Sequence, residues 1–313
     1  MRGAKIRTSI PMAMRSRLPD APTSGLAVID KPAGWTSHQV VGRVRRLAGT
    51  RKVGHAGTLD PMATGVLIIG IGKATRLLGY LALSGKAYSA TIRLGISTVT
   101  DDAEGDRVTA AGAAGVTDAD IEAAMARLRG EILQVPSAVS AIKVEGVRSY
   151  ARVRAGSPVD LPARPVHVER FTPVASRASD VGGIAVVDLD VDVECSTGTY
   201  VRALARDLGS ALGVGGHLIA LRRTSVGSFR VDEAQTLDEA EQGLAVLPLD
   251  RVVQNFFPAL IISEAQVSHI RHGRRLANLT LGDNPTALLD QTGHFLALYR
   301  QEGPDAVAEV VFV

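Results

Sequence analysis

The carboxylate of Asp60 is the side chain in this sequence that is best placed to do chemistry. It lies in a glycine-rich segment, residues 54–61, with the sequence GHAGTLDP. A short carboxylate between glycines and a proline can be held at a defined angle, where it can act as a nucleophile, a general base or a metal ligand. Aspartate before proline is also common in turns. Local chemistry alone therefore leaves a structural role open.

Short elements on both sides of this segment are predicted to hold it in place. Residues 25–30 predict a buried strand that ends at the Lys-Pro-Ala-Gly sequence of residues 31–34. Thr36 or Ser37 then caps a helix that runs to about Leu47. Residues 54–61 are predicted to form a loop before an apolar stretch, and such loops carry function more often than the elements that they connect.

Two stretches carry the alternation that is typical of a β-strand. Residues 86–94 and 183–195 alternate between apolar and polar types, and the second is predicted to be a half-buried antiparallel strand. Residues 140–144 also predict a strand, which leads into a helix over residues 147–154. After Pro248 the chain breaks into short strand-like pieces separated by glycines.

Capping signals mark two further helices. Thr117 followed by Asp120 predicts the start of a helix that runs to Arg129. Thr199 is predicted to begin another helix, which ends at about Leu212. Strands and helices follow one another in irregular order without a β-α-β period, which predicts an α+β architecture.

Two acidic stretches look like metal sites but have a simpler explanation. Asp188, Asp190 and Asp192 are spaced by the strand period, so a solvated sheet face accounts for them. Residues 101–106, with the sequence DDAEGD, lack the spacing and the closing glutamate of an EF-hand loop. We therefore expect a solvated loop at residues 101–106.

The nucleotide-binding motifs also fail. Gly70, Gly72 and Lys73 resemble part of a P-loop, but Ala74 follows the lysine where serine or threonine is required. Thr75 stands where the dinucleotide fingerprint has its third glycine. The seven histidines show no pairing of the kind that binds zinc. No nucleotide, nicotinamide or metal cofactor is expected.

Charge is distributed unevenly along the chain. The 35 basic and 32 acidic residues give a net charge of only +3, yet basic residues gather beside turns and helix ends. Such clusters build phosphate contacts on several surfaces of one groove, although solvated surface is the alternative for any single cluster. Together they favour nucleic acid. The clusters are Arg43, Arg45, Arg46, Arg51 and Lys52; Arg222 and Arg223; and Arg271, Arg274 and Arg275.

Length and cysteine content bound the class of protein. A chain of 313 residues fits one large domain and one small one. Its first 24 residues carry five basic side chains against one acid and lack the apolar core of a secretory signal, which predicts a disordered basic tail; an arginine-rich transit peptide is the alternative. Cys195 is the lone cysteine, so a reducing cytoplasm is the simplest compartment.

The glycine-rich segment is one of six blocks with a common resemblance. Residues 54–67, GHAGTLDPMATGVL, closely resemble the nucleophile loop of the bacterial tRNA pseudouridine-55 synthase family. Five further blocks resemble the same family in the same order, which is far more specific than a single short motif. They are DKPAG with Thr36 and Ser37; KAY at 86–88; QVPSAVSAIK at 134–143 with Gly146 and Tyr150; CSTGTYVR at 195–202 with DLG at 207–209; and LRRT at 221–224 with VG at 226–227.

The resemblance implies three catalytic residues. Asp60 corresponds to the nucleophile, and Arg202 corresponds to the arginine that pairs with it and keeps it ionised. Tyr88 would stack on the extruded base and transfer a proton. A helix-surface arginine and a core tyrosine are the competing interpretations of the last two residues.

The resemblance also implies residues that contact the substrate. His55 would occupy the space that an extruded base leaves, because a base inside a folded T-loop is otherwise inaccessible. Tyr200 and Leu221 match positions that line the base pocket. Three further residues are candidates either for contact with the RNA backbone or for loop support: Lys31, Lys143 and Arg223.

The fold and activity that follow from the resemblance are specific. It implies a mixed, largely antiparallel sheet flanked by helices over residues 25–250, and a small β-rich, PUA-like RNA-binding domain over residues 251–313. The implied reaction is isomerisation of the uridine at position 55 in the tRNA T-loop to pseudouridine, without a cofactor or an obligatory protein partner. The alternatives are a non-catalytic RNA-folding module and a guide-dependent synthase that acts on ribosomal RNA within a complex.

Overall fold

Most of the strands belong to one large sheet. The structure is a computed structural model that describes residues 24–137, 143–144, 147–148, 161–282 and 284–313. Its strands are β1 Gly25–Lys31, β2 Val53–Ala56, β3 Thr64–Ile71, β4 Lys86–Leu94, β5 Ser97–Thr98, β6 Arg107–Thr109, β7 Gly130–Gln134, β8 Lys143–Val144, β9 Val147–Arg148, β10 Arg164–Asp180, β11 Ala185–Cys195, β12 Gly216–Val226, β13 Phe229–Arg230, β14 Leu247–Pro248, β15 Ala259–Ile261, β16 Leu276–Ala277, β17 Thr286–Leu289, β18 Phe295–Glu302 and β19 Asp305–Val311.

The large sheet has the order β14-β1-β3-β12-β4-β11-β10-β7, with β2 paired to β3 and β13 paired to β12. Every pairing in it is antiparallel except that of β3 with β12. Because β12 is hydrogen-bonded to both β3 and β4, the ends of three strands that are distant in sequence meet at the centre of the sheet. The predicted α+β class with a largely antiparallel sheet is confirmed.

Helices cover this sheet and supply apolar side chains to its core. Thr36 caps the first helix in a complete capping box with Gln39, which stabilises the helix start. The helix spanning residues 201–211 packs on β12 and buries Leu204 and Leu208. The helices are α1 Ser37–Leu47, α2 Leu78–Ala82, α3 Asp118–Ala126, α4 Val201–Ala211, α5 Leu237–Gln242, α6 Leu249–Phe256 and α7 Glu264–Arg271, with 3₁₀ turns at Gly72–Leu77 and Val231–Glu233. Among these described helices, none is long and apolar enough to cross a membrane.

A second sheet of five strands follows α6, in the order β15-β17-β18-β19-β16. One face of this sheet forms a core of its own with α7, in which Leu288, Tyr299 and Ile270 are buried, and the other face packs toward the large sheet. Phe295 and Phe312 belong to the same buried cluster as Leu26 and Val226 of the large sheet. The Arg76 guanidinium also stacks over the Phe312 ring, 4.3 Å from its centroid. The two sheets are therefore joined by shared apolar burial, and the proposed boundary at Asp250 falls within α6, which connects them.

Several predicted elements agree with the structure, and others need correction. The strands predicted at residues 25–30 and 86–94 and the helix capped by Thr36 are confirmed, and the strand predicted at 183–195 is present but begins at Ala185. The helix predicted to end at Arg129 ends at Ala126, and the one predicted to begin at Thr199 begins at Val201. The region after Pro248 contains the helices α6 and α7 as well as short strands.

The segment predicted as one loop over residues 54–61 begins as a strand. Gly54 pairs with Gly70 across β2 and β3, and a Cβ at either position would lie only 3.0 Å from the Leu78 side chain. These two glycines therefore allow α2 to pack closely on the sheet, so their function is packing and not a turn. The loop proper is residues 57–63, between the two strands.

Some predictions fall on residues that lie outside the described ranges. These are the basic tail at residues 1–23, Gly146 and Tyr150, and most of the strand and helix predicted over residues 140–154. Of that helix, Val147–Arg148 is described and is a strand that pairs with Lys143–Val144, so the prediction is wrong at those two residues.

Candidate active site

The Asp60 loop is fixed from three directions by buried side chains. The Ser37 hydroxyl accepts from the Leu59 amide at 2.9 Å and donates to the Leu59 carbonyl at 3.1 Å. The Lys31 ammonium donates to the carbonyl of Pro61 at 3.1 Å. The Arg223 guanidinium donates to the carbonyl of Gly57 at 2.9 Å. Backbone groups of a loop need such partners when water is excluded, so the loop is held in one conformation.

Lys31 is fully buried and serves two loops at once. Its ammonium also donates to the carbonyls of Pro32 at 3.0 Å and Trp35 at 2.6 Å, so three carbonyls surround it. Burial lowers the pKa of Lys31 to about 8, and the Asp60 carboxylate acts in the opposite direction. With no exposed surface, Lys31 cannot contact an RNA phosphate. Of the two predicted roles, the structure favours loop support.

The Asp60 carboxylate is paired with Arg202 through both of its oxygens. Arg202 Nε lies 3.0 Å from Oδ2, and Nη2 donates to Oδ1 at 3.2 Å. The side chain of Asp60 is 36% exposed, whereas that of Arg202 is 5% exposed. The pair is thus a buried guanidinium that holds an accessible carboxylate. Two-point pairing of this kind fixes direction as well as charge.

Arg202 is itself held by the loop after β5. Its Nη1 donates to the Thr100 carbonyl at 2.8 Å and lies 3.3 Å from Oδ2 of Asp102. Asp101 and Asp102 are both buried, and Asp101 adopts a positive φ of 59°. The predicted solvated loop at residues 101–106 is therefore wrong for these two residues, because Arg202 and Arg206 draw their carboxylates inward.

A cavity of about 280 Å³ opens beside Asp60. It is bounded by the Asp60 loop, by β4 and β12 of the sheet, and by the start of α4. Tyr88, Tyr200 and Leu221 all line it, as do Asp60 and Arg202. Arg223 lines it too, so the structure brings together six residues that the sequence predicted for one site. Further lining residues include Lys86, Thr197, Gly198 and Thr199.

The aromatic and apolar walls of the cavity are set by strand register and a helix cap. Tyr88 lies on β4 opposite Arg223 of β12, and Leu221 lies on β12 opposite Ala90. Burial raises the pKa of the Tyr88 hydroxyl, and the neighbouring Arg223 guanidinium lowers it. Tyr200 is the N-cap residue of α4, which places it at the mouth of the cavity.

Gln134 positions Tyr200 through two backbone hydrogen bonds. Its amide nitrogen donates to the Tyr200 carbonyl at 3.1 Å, and its amide oxygen accepts from the Tyr200 N–H at 2.8 Å. Gln134 is buried at the end of β7. In the sequence, Gln134 was recognised only as the first residue of the family-like block at residues 134–143, and no role was predicted for it.

His55 does not line the cavity. His55 lies on β2, in edge contact with the His38 ring at 5.5 Å between centroids. Burial, with smaller contributions from His38 and Arg223, lowers the pKa of His55 to about 4. Within the described residues, its buried Nδ1 has no hydrogen-bond partner. Lys143 is in the short strand Lys143–Val144, and its side chain lies outside the described part of the structure.

Arg223 is 1% exposed and donates to the Val66 carbonyl at 2.7 Å as well as to Gly57. Of the two predicted roles, burial favours loop support for Arg223, as it does for Lys31. The backbone of Arg223 also lies against Gly65, where a Cβ would come within 2.1 Å of its carbonyl oxygen. Gly65, with φ +102°, is the residue that allows β3 and β12 to meet beside the loop.

Sequence analysis missed Lys86 and Asp102 as parts of the site. Lys86 lines the cavity and donates to the carbonyls of Ala82 at 3.0 Å and Ser84 at 2.7 Å. The sequence could have predicted Lys86, because residues two apart on a strand share a face and Tyr88 was already assigned to the site. The groups of acidic, histidine and cysteine side chains in the described ranges include none that could hold a metal ion.

Three family models match the chain in succession. The TruB family pseudouridylate synthase N-terminal domain matches residues 45–201. The C-terminal domain of tRNA pseudouridylate synthase B matches residues 202–254, and the C-terminal model of tRNA pseudouridine synthase II matches residues 257–313.

Relatives and solved structures agree with these matches. The tRNA pseudouridine synthase B of Arthrobacter sp. (strain FB24) is 56% identical over 297 residues, covering 92% of this chain and 96% of the relative. That of Thermobifida fusca (strain YX) is 53% identical, covering 92% and 98%. An H/ACA RNP bound to a substrate RNA containing 2′-deoxyuridine matches with a TM-score of 0.65 at 27% identity, covering 92% of this chain and 85% of that one.

A Cbf5-Nop10-Gar1 complex also matches with a TM-score of 0.65, at 26% identity, covering 95% of this chain and 91% of that one. The fold is thus shared with chains of these two complexes, while the high identity over nearly the full length lies with the bacterial relatives. On these matches, the chain belongs to the TruB family of pseudouridylate synthases.

Proposed function

We propose that this chain isomerises the uridine at position 55 in the T-loop of tRNA to pseudouridine, with Asp60 as the nucleophile. The observation that carries the proposal is the pairing of an accessible Asp60 carboxylate with a buried Arg202 at the edge of a cavity that Tyr88 lines. The bacterial relatives are named tRNA pseudouridine synthase B, which supports tRNA as the substrate.

The reaction needs only groups that this site holds. It breaks the bond between N1 of the base and C1′ of the ribose and forms a bond between C5 and C1′, without net oxidation or transfer of an external group. The Asp60 carboxylate can add to C1′ or to C6 of the base, or assist formation of a glycal, while the freed base rotates. Arg202 keeps the carboxylate ionised and directed at the cavity.

The cavity fits one extruded base and not a stacked segment of RNA. Tyr88 stacks on the base and transfers a proton, and Tyr200 and Leu221 form the remaining walls of the pocket. His55, outside the cavity on β2, fills the space that the base leaves in the T-loop. The low pKa of His55 keeps its ring neutral at pH 7, which suits stacking against bases.

The affinity for tRNA comes from exposed basic residues at the ends of two helices, α1 and α7, and just beyond them. Arg45, Arg46, Arg51 and Lys52 are exposed near the end of α1 and beyond it, and contacts of this type supply affinity without reading sequence. Exposed Arg271, Arg274 and Arg275 form a second group at the end of α7.

Under this proposal, residues 25–250 form the catalytic domain and residues 251–313 a PUA-like RNA-binding domain. The second sheet and the separate family match that starts at residue 257 support the division. The enzyme works in the cytoplasm on tRNA alone and needs no protein partner, although neighbours in the solved structures are complexes with other proteins.

The decisive experiment is incubation of the purified chain with unmodified tRNA, followed by chemical mapping of pseudouridine. We expect conversion at position 55 by the wild type and none by Asp60→Asn, with tRNA affinity within a few-fold, because the amide preserves shape but is not a nucleophile. Asp192→Asn, on the solvent-facing side of β11, is the matched control and should retain the wild-type rate.

Two results would contradict the proposal. Single-turnover product from folded Asp60→Asn would remove Asp60 from the nucleophile role. Tight binding of tRNA without any conversion by the wild type would favour an RNA-folding module, and conversion only in the presence of guide RNA would favour the guide-dependent class.

A further inference from the structure

Arg223 is a buried cation for which the described residues supply no acidic partner. It is 1% exposed, and its side chain donates to two backbone carbonyls, those of Val66 and Gly57. Among the described residues, no carboxylate forms an ion pair with it. A buried charge that is not paired is costly, so its retention beside the cavity calls for an explanation other than fold stability alone.

Arg223 and Tyr88 are direct neighbours across two strands. They lie opposite each other in the register of β4 and β12, so their side chains share one face of the sheet, and the Arg223 guanidinium lowers the pKa of the Tyr88 hydroxyl. A Cβ added at Gly57 would lie 3.4 Å from Nη1 of Arg223 and 3.4 Å from Cε of Lys86, so both cations lie close to the Asp60 loop. Tyr88 and Arg223 both line the cavity that Asp60 borders.

The positive charge of Arg223 changes the pKa of several groups in and near this cavity. It lowers the pKa of Lys31, His55, Lys86 and Tyr88. For the three bases this disfavours a second positive charge. For Tyr88, which burial otherwise keeps protonated, it favours the anionic phenolate.

We propose that Arg223 is a positioning residue that holds the Tyr88 hydroxyl and stabilises its phenolate for proton transfer; this rests on the proposed function. Once C1′ is bonded to C5, that carbon carries both the sugar and its original hydrogen. The Tyr88 phenolate oxygen removes the hydrogen as a proton. The electron pair of the C5–H bond becomes the C5=C6 bond, the former C6=N1 pair moves to N1, and N1 takes up a proton.

This step balances without any further reactant. One proton leaves C5 and one arrives at N1, so the base keeps its charge and oxidation state, and Tyr88 returns to its phenolate when its proton passes on. Arg223 remains protonated throughout, because its guanidinium does not titrate in the accessible range. Through its bond to the Gly57 carbonyl, the same side chain also couples Tyr88 to the Asp60 loop.

The test measures titration of Tyr88 directly, in the full-length chain without substrate. The five tyrosines are replaced by 3,5-difluorotyrosine, whose phenol is more acidic, and the Tyr88 resonance is assigned by ¹⁹F NMR with Tyr88→Phe. We expect Arg223→Gln to move the Tyr88 titration upward by about 1 pH unit or more, the usual size for loss of an adjacent charge. Arg93→Lys is the control, since Arg93 lies on β4 but pairs with Asp188.

Single-turnover rates on tRNA give a second, independent measurement. Arg223→Gln should reduce the rate at least 10-fold in the wild-type background and have little further effect in the Tyr88→Phe background, because it acts through Tyr88. Arg223→Lys keeps the charge and should fall between the wild type and Arg223→Gln in both measurements.

An unchanged Tyr88 titration in folded Arg223→Gln would overturn the proposal and reduce Arg223 to loop support. If Arg223→Gln does not fold, Arg223→Lys decides: equal rate losses with and without the Tyr88 hydroxyl would overturn the proposal, and a loss confined to the Tyr88 background would support it. A shifted titration in a chain that forms no pseudouridine would leave the pair in place and refute the proposed function instead.

Discussion

Asp102 and Arg202 form an ion pair in which both side chains are almost completely buried, with 3.3 Å between Oδ2 and Nη1. Oδ1 of Asp102 accepts from the Thr100 hydroxyl and, at 3.0 Å, from the Glu104 amide. The carboxylate is therefore anchored on its own loop before it meets the arginine. Since the opposite edge of the same guanidinium holds Asp60, Asp102 fixes the direction in which Arg202 presents its donors.

We expect Asp102→Asn to slow the single-turnover rate about 10-fold to 100-fold with little change in tRNA affinity. The amide keeps the size of the side chain but removes the charge that orients Arg202, so Asp60 is held less firmly. Loss of a buried charged partner should also lower the free energy of unfolding by about 1–3 kcal/mol. Asp106→Asn, an exposed change in the same loop, is the control for both measurements. A wild-type rate for Asp102→Asn would show that Arg202 needs no second carboxylate.

The pH dependence of stability should carry a contribution from His55. Its pKa is about 4 in the folded chain and about 6.5 in the unfolded chain, so between these values the unfolded state binds the extra proton. Stability from this residue is therefore present above pH 6.5 and is lost as the pH falls toward 4, at no more than about 1.4 kcal/mol per pH unit.

We expect His55→Gln to unfold with a shallower pH dependence than the wild type across that window, measured by urea denaturation at several pH values. Comparing the two proteins removes the contribution of the other titrating groups. The control is His272→Gln, which replaces an exposed histidine directly after α7 and should match the wild-type slope. Equal slopes for His55→Gln and the wild type would mean that His55 titrates normally when folded.

Local patterns predicted the elements around the site well because their signals are strong and local. The alternation of residues 86–94 coincides with β4, and the Thr36 cap begins α1 as expected. The prediction of a solvated loop at residues 101–106 was wrong for Asp101 and Asp102 because the polarity of this stretch is typical of such a loop. The charges that draw the two carboxylates inward come from α4, a hundred residues later. Such long-range pairing leaves no mark on the local pattern.

Long-range packing also decides which of the predicted site residues lie together. Asp60, Arg202 and Tyr88 were selected through the family resemblance, and the sheet order then brings them to one cavity. For Lys31 and Arg223 the sequence left RNA contact and loop support equally open. Only burial decides between these roles. Lysine and arginine are rarely buried, so their residue type alone predicts an exposed side chain.

The shared apolar core predicts that the two sheets unfold together. Phe295 is buried against Phe312 with 4.7 Å between ring centroids, in the cluster that also contains Leu26 of β1. We expect Phe295→Ala to lower the free energy of unfolding by about 3–5 kcal/mol. Fluorescence of Trp35, the single tryptophan, reports on the large sheet and should shift to a lower urea midpoint together with circular dichroism.

Ile261→Ser is the matched control, because this exposed residue of β15 belongs to the second sheet but lies outside the shared cluster. A Trp35 transition that keeps its midpoint in Phe295→Ala, while circular dichroism shows a second and earlier transition, would mean that the sheets are independent folding units.

Tyr88→Phe separates the two roles that Tyr88 holds in the proposed function. The change keeps the ring for stacking on the base and deletes the hydroxyl whose pKa Arg223 lowers. If Tyr88 only stacks, the cost should be small, because stacking needs only the aromatic face. If the hydroxyl transfers the proton from C5, the single-turnover rate should fall by about 10²-fold or more, the loss that is typical of a missing general acid or base.

We expect the larger effect, with tRNA affinity nearly preserved. The earlier cleavage of the glycosidic bond does not require the hydroxyl, so a tRNA containing 5-fluorouridine should still be bound and rearranged by Tyr88→Phe, which denaturing gels and mass spectrometry of the nucleosides would detect. Tyr299→Phe is the control, since that buried hydroxyl donates to the Arg274 carbonyl in the second sheet, remote from the cavity. A near wild-type rate for Tyr88→Phe would restrict Tyr88 to stacking and would require another proton acceptor at the cavity, for which Lys86, with its pKa lowered by burial to about 8, is the next residue to test.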